Sequence, residues 1–151
     1  MSDSTERVYL GVCTLSRPFD DQSQMRIRLE TDAVQLILSH VRGGNLTLIV
    51  SPVHDIEIGA IEDSTEREHL VSILHDLGKR VPFDPLRTRQ RAEQLVQHGL
   101  GPADAAHLAF AEAAEADFVT CDDRLLRQCR RVQSSVWFGT LMAFCDKENL
   151  Q

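Results

Sequence analysis

Three short runs of strand-forming apolar residues recur along this chain: RVYLGVC at 7–13, LTLIV at 46–50 and FVTC at 118–121. Stretches with helical spacing separate them. The runs are continuous rather than alternating, as expected for strands covered on both faces. Strands that take turns with helices form βαβ units, and those units build a parallel sheet. The expected fold class is therefore α/β: three layers, with a central, mostly parallel sheet of four or five strands and helices on both faces.

The punctuation of the chain supports this. Val34, Ile37, Leu38 and Val41 recur at helical spacing within 26–42, and Gly43-Gly44 ends that helix. Pro52 fits the first position of a helix that carries Asp55 and Glu57. Asp63 and Glu66 resemble a reciprocal cap for a helix over 65–77 that Gly78 stops. Residues 81–83 read as a connector or edge strand. A helix follows Asp84, with Leu95 and Val96 facing inward. Pro102 opens an alanine-rich helix thin enough to lie close on a sheet. A last strand is expected near 132–138 and a last helix over 140–147. No repeat or linker interrupts the sequence, so one domain is expected over 1–151.

Composition excludes several classes. No stretch reaches 18 apolar residues, so no transmembrane helix is expected, and the polar amino terminus lacks the apolar core of an export signal. A cytoplasmic protein is the resulting expectation. The 4 cysteines form no C-x-x-C pair, which disfavours zinc and a disulfide framework; they read as reduced thiols, with Cys13 and Cys121 buried on strands. A net charge of −7 argues against nonspecific coating of nucleic acid. Arginines nevertheless gather in two regions. Arg87 and Arg89 lie in one and Arg124 and Arg127 in the other, where they would suit a phosphate backbone approaching an acidic centre.

That centre is suggested by three acids at equivalent places. Glu57 lies early in the helix after the second strand, Asp104 in the first turn of the alanine-rich helix, and Asp122 just past the next strand. The ends of strands in open α/β sheets are where ligands bind. Clustered carboxylates resist joint ionisation unless a cation neutralises them, and an all-oxygen set prefers hard ions such as Mg²⁺ or Mn²⁺. Such ions activate water for displacement at phosphorus. Asp122 or Asp123 reads equally well as the cap of a helix over 124–131.

RVYLGVCTLSRPFDDQ, PADAAHLA and TCDDRLL, in that order and with a Glu in the helix between the first two, resemble the PIN-domain family and within it the VapC-like branch. The resemblance covers roughly residues 8–144. It implies a metal-dependent ribonuclease of the toxin–antitoxin type, using Mg²⁺ or Mn²⁺, with RNA as substrate, an antitoxin protein as partner and a homodimeric assembly. Carried over residue by residue, it makes Glu57, Asp104 and Asp122 the catalytic and metal-holding acids, with Asp55 the other acid on the helix of Glu57. Asp123 would be a neighbouring acid acting through water, and Thr120 would orient a carboxylate or a water. His107 reads as a packed, hydrogen-bonded histidine. The departure is Gly11, where the family pattern Y-L-D carries an aspartate that is a central metal ligand. A noncatalytic PIN-fold module that binds RNA or a protein partner is therefore the alternative. A receiver-type phosphoryl-transfer domain is disfavoured by the lack of a lysine near a strand end to pair with a phosphorylated aspartate.

Overall fold

The structure, a computed structural model, describes residues 5–151. The first four positions of the polar amino terminus lie outside the described residues. Five strands, β1 (Glu6–Leu10), β2 (Leu46–Ile49), β3 (Gly78–Lys79), β4 (Asp117–Val119) and β5 (Phe138–Gly139), form one sheet in the order β3-β2-β1-β4-β5. Every pairing is parallel. The chain winds outward from β1 in both directions, so the strand order reverses between β1 and β4.

The helices are α1 (Val12–Leu15), α2 (Met25–Arg42), α3 (Pro52–Gly59), α4 (Ser64–Leu77), α5 (Pro85–Gln97), α6 (Pro102–Ala113), α7 (Asp123–Cys129) and α8 (Leu141–Lys147), with a 3₁₀ turn at Arg17–Phe19. They cover both faces of the sheet. On one face Val8, Leu10 and Leu48 meet Leu15, Ile37, Leu70 and Phe144 of α1, α2, α4 and α8. On the other, Tyr9, Ile49 and Phe118 meet Leu95, Leu108 and Leu125 of α5, α6 and α7. Strand side chains alternate between faces, and here both faces are dry, so Val8, Tyr9 and Leu10 are all fully buried. This is the three-layer α/β arrangement that the sequence implied. No helix among the described residues is long and apolar enough to cross a membrane.

Several local expectations are corrected. The first strand ends at Leu10, and Gly11 starts α1, so Cys13 sits on a helix and is exposed rather than buried on a strand; Cys121 is buried as expected, but in the bend past β4 rather than on a strand. The edge strand is Gly78–Lys79, not residues 81–83, because Val50 N–H bonds Lys79 carbonyl at 3.0 Å and draws the chain into the sheet directly from α4. The last strand is only Phe138–Gly139. Its flanking carbonyls pair with β4 through Phe118 N–H to Trp137 and Thr120 N–H to Gly139, while the Ser134 hydroxyl holds the preceding bend at Val136 N–H. Val96 is 40% exposed, since Leu95 alone takes the inward direction there.

Gly78 is required for steric reasons. Its φ of −74° is ordinary, but an added Cβ would stand 2.5 Å from the Leu74 carbonyl oxygen and 2.7 Å from a Val50 methyl. Gly78→Ala should therefore lower stability by about 1–3 kcal/mol, the usual cost of overpacking, read from the urea midpoint. Gly59→Ala, where a Cβ meets nothing within 4 Å, should be neutral or stabilise by up to about 1 kcal/mol.

Candidate functional site

The carboxyl ends of β1, β2 and β4 open into a cavity of about 280 Å³ lined by Gly11, Cys13, Glu57, Asp104, Thr120 and Asp122, with His107 at its inner wall. Three elements deliver the three acids. Glu57 projects from the second turn of α3. Asp104 lies in the first turn of α6, where a carboxylate interacts well with the helix dipole. Asp122 follows β4 and is the N-cap of α7, its Oδ1 accepting the backbone N–H groups of Arg124 (2.9 Å) and Leu125 (3.2 Å). The capping role and the place in the cavity thus belong to one residue. The Thr120 hydroxyl accepts the Asp122 N–H at 3.2 Å and lies 3.4 Å from the Cys13 sulfur, so Thr120 fixes the turn that carries the acid.

Other predicted site residues are placed elsewhere. Asp55 turns away and pairs with Arg80 at 2.7 Å, leaving Glu57 as the acid of α3 that lines the cavity. Asp123 is gripped by both terminal nitrogens of Arg26 (2.9 and 3.0 Å), outside the cavity. A second recess of about 260 Å³ shares Asp104 and Asp122 and adds Arg124, which puts that arginine beside the acids. Arg127 is close enough to act on the charge of Asp123. Arg87 lies on α5 in a separate groove with Phe83 and Arg91, and Arg89 is exposed on the same helix, so neither joins the acids.

Position 11 is sterically open. Gly11 has φ −61° and ψ 156°, and a Cβ there would lie 3.7 Å from the Cys13 sulfur and the Val119 carbonyl and 3.9 Å from the Thr120 hydroxyl. These are ordinary contacts, so neither backbone nor packing demands glycine.

A buried line of polar side chains behind the cavity was not legible in the sequence. Ser51 Oγ lies 2.7 Å from the Tyr9 hydroxyl, Tyr9 lies 2.6 Å from His107 Nδ1, and His107 Nε2 lies 2.6 Å from Glu57 Oε1. The only hint was His107 one helical turn after Asp104. Tyr9 reads as a core aromatic, and its partners lie 42 and 98 residues away. His54 supports the same corner: its Nδ1 accepts the Ser51 N–H (3.1 Å) and its Nε2–H donates to the Leu10 carbonyl (2.8 Å).

The electrostatics separate the acids. The hydrogen bond from His107 holds Glu57 below the ordinary carboxylate range against the opposing effect of burial. Burial, then the charges of Asp122 and Glu57, push Asp104 up. Burial lowers His54 to about 4, keeping it neutral at pH 7, and raises the Tyr9 hydroxyl. The Cys121 thiol, as hydrogen-bond donor, holds Cys13 below the ordinary thiol range. Among the described residues Asp104 accepts no hydrogen bond, and the charges of Asp122 and Glu57 oppose its own while only His107 favours it. Such a donor set, carboxylate oxygens with a hydroxyl nearby, suits a hard divalent cation. A second acidic group, Glu6, Asp117 and Glu148, lies at the opposite end of β1 and β4 with oxygens within 4.8 Å. The Lys147 ammonium, 2.8 Å from Asp117 and also paired with Glu148, already compensates part of its charge.

The sequence matches the PIN domain family over residues 28–131. No curated protein matches it. Among solved structures, FitAcB from Neisseria gonorrhoeae is similar, with 16% identity over 89% of this chain and 98% of that one, at a TM-score of 0.54. VapBC2 from Rickettsia felis, solved bound to a DNA fragment from its promoter, has 14% identity over 89% and 98% of the two chains, at 0.56. PAE2754 from Pyrobaculum aerophilum has 14% identity over 96% and 97%, at 0.54. At these identities the likeness is one of fold.

The opposite shifts of two acids give opposite pH dependences. Glu57, held down in the fold, contributes stability that is full above its unfolded pKa and is lost as pH falls through its folded pKa. Asp104, raised in the fold, costs stability above its folded pKa, and that cost vanishes as the pH falls below its unfolded value. In the presence of a chelator, Asp104→Asn should raise the melting midpoint at neutral pH by about 2–4 °C, the shift that about 1 kcal/mol gives in a domain of this size. Scanning calorimetry from neutral pH to about pH 3 should show the gain shrinking as the wild-type carboxyl takes up its proton.

Proposed function

The chain belongs to the PIN-domain family, and from that premise we propose that it is a toxin-type, metal-dependent ribonuclease whose centre is weakened by Gly11. The observation that carries this function is the convergence of Glu57, Asp104 and Asp122, from three separate elements, on one cavity that also contains position 11. Asp104 and Asp122 would hold Mg²⁺ or Mn²⁺, with Glu57 completing the set. When bound, the ion supplies a water of lowered pKa and neutralises charge on the phosphate.

The chain's own residues supply the rest. The first turn of α7 fixes Asp122, and Thr120 fixes the turn before it. Arg124, in the recess that shares Asp104 and Asp122, is placed to meet a phosphate of the RNA. Exposed apolar side chains such as Met25 and Leu29 on α2 and Val71 on α4 support a homodimer or an antitoxin as their cover. A single such domain over 1–151, working in the cytoplasm, completes the proposal. The second reading is a noncatalytic module that binds RNA or a protein partner. It is favoured by one observation: a side chain would fit at position 11, and none is there.

Restoring the carboxylate decides between them. Gly11→Asp should tighten Mn²⁺ binding about tenfold or more, a difference of about 1.4 kcal/mol. Calorimetric titration reads the affinity, and cleavage of a labelled single-stranded RNA reads the activity. Cleavage that rises with Gly11→Asp and is abolished by Asp104→Asn establishes the nuclease. Tighter Mn²⁺ binding with no cleavage establishes the binding module. If Mn²⁺ neither binds nor raises the melting midpoint of either protein, the metal centre is lost as an explanation.

A further inference from the structure

Each of the three acids is held differently. Asp122 is held by two backbone N–H groups, and Asp104 accepts no hydrogen bond among the described residues. Glu57 alone is held by a side chain, the His107 imidazole, which is 4% exposed. The carboxylate of Glu57 only accepts, so the proton at that 2.6 Å contact belongs to His107 Nε2. With the ring neutral, Nδ1 is an acceptor and takes the Tyr9 O–H at 2.6 Å; the Tyr9 oxygen then accepts from the Ser51 hydroxyl at 2.7 Å. Ser51 is fixed in turn as the N-cap of α3, the helix that bears Glu57. The line therefore closes on itself through α3. It defines both the tautomer and the tilt of the ring, and it uses the hydroxyl that Tyr9 of the central strand sends into the far core.

We propose that His107 is the positioning residue for Glu57: it engages Oε1 and so leaves Oε2, which accepts no hydrogen bond among the described residues, as the oxygen presented to the cavity. Tyr9 and Ser51 act one step further back, by locking the ring. This assignment rests on the metal-site reading above. It adds that the order of Glu57 is set from the core of the sheet rather than from the cavity rim. A carboxylate on the exposed second turn of a short helix has several rotamers of similar energy, and fixing one removes the entropy that a bound ion would otherwise have to remove. The partners that orient a metal-binding side chain typically govern affinity by 10–100-fold.

The test compares Mn²⁺ affinity, by calorimetric titration at neutral pH, in the wild type, His107→Ala, His107→Gln and Tyr9→Phe. His107→Ala should weaken binding by about 10–100-fold. His107→Gln keeps an N–H donor near the position of Nε2 and should recover most of that loss, and Tyr9→Phe should fall between. On a Glu57→Ala background, His107→Ala should change affinity by less than about twofold, because its effect passes through Glu57. Nitrogen-15 spectra of the wild-type ring should show the proton on Nε2. Unchanged affinity in His107→Ala overturns the assignment, as does a full loss repeated on the Glu57→Ala background. If His107→Ala does not fold, His107→Gln and Tyr9→Phe decide: wild-type affinity in Tyr9→Phe together with an unrescued His107→Gln overturns it. Absence of Mn²⁺ binding in both the wild type and Gly11→Asp overturns the metal-site reading and this assignment together, whereas binding that ignores His107 overturns this assignment alone.

Discussion

The parallel pairing of β1 with strands on both of its sides is the constraint from which the rest follows. A strand in that position has no solvent face beyond its first residues, so Val8, Tyr9 and Leu10 must all find partners in a dry environment. Val8 and Leu10 do so by packing. Tyr9 does so partly by packing beside Phe118, with ring centroids 6.0 Å apart, and partly through its hydroxyl, which cannot be left unbonded at that depth. Satisfying that one hydroxyl recruits Ser51 and His107, and through His107 it reaches Glu57. The geometry of the centre is thus a continuation of the hydrogen-bond accounting of the sheet. The reversal of strand order beside β1 puts the opening there as well.

Two acidic groups occupy opposite ends of the same strands and show how a structural cluster differs from a functional one. Glu6, Asp117 and Glu148 are brought together where β1 and β4 begin, and Lys147 sits among them, also stacked near Trp137 and Phe144. That group receives a cation from the protein itself. At the other end burial and the charges of Asp122 and Glu57 raise the pKa of Asp104, and Arg124 lines the adjoining recess. Arg26, which could have served the cavity, is committed to Glu30 and Asp123. Uncompensated charge is concentrated where a ligand can supply the compensation.

How much of this the sequence disclosed depended on the range of the interaction. The parallel sheet was legible because continuous apolar runs such as LTLIV have few other solutions, and the places of Asp104 and Asp122 followed from helix starts and strand ends. Boundaries set by long-range pairing were not legible: β3 falls on Gly78–Lys79 because Val50 reaches it, a fact that no local pattern encodes. Cys13 was read as a strand residue because RVYLGVC is apolar throughout, yet Gly11 turns the chain into α1 before it. The line from Ser51 to Glu57 joins four residues from three distant parts of the chain, each with an ordinary local role. Composition and periodicity could supply its members but not their meeting.

Gly11 carries a consequence for how such a chain changes over generations. Its backbone is ordinary and its surroundings have room for a Cβ, so packing exerts no selection for glycine at that position. Two of the four glycine codons lie one base from an aspartate codon. A lineage can therefore lose or regain a carboxylate at the mouth of the cavity in one step, without passing through a form that fails to fold. A regained carboxylate would strengthen the centre while adding to the repulsion that already raises Asp104, so at this position the strength of the centre is exchanged against the stability of the metal-free domain.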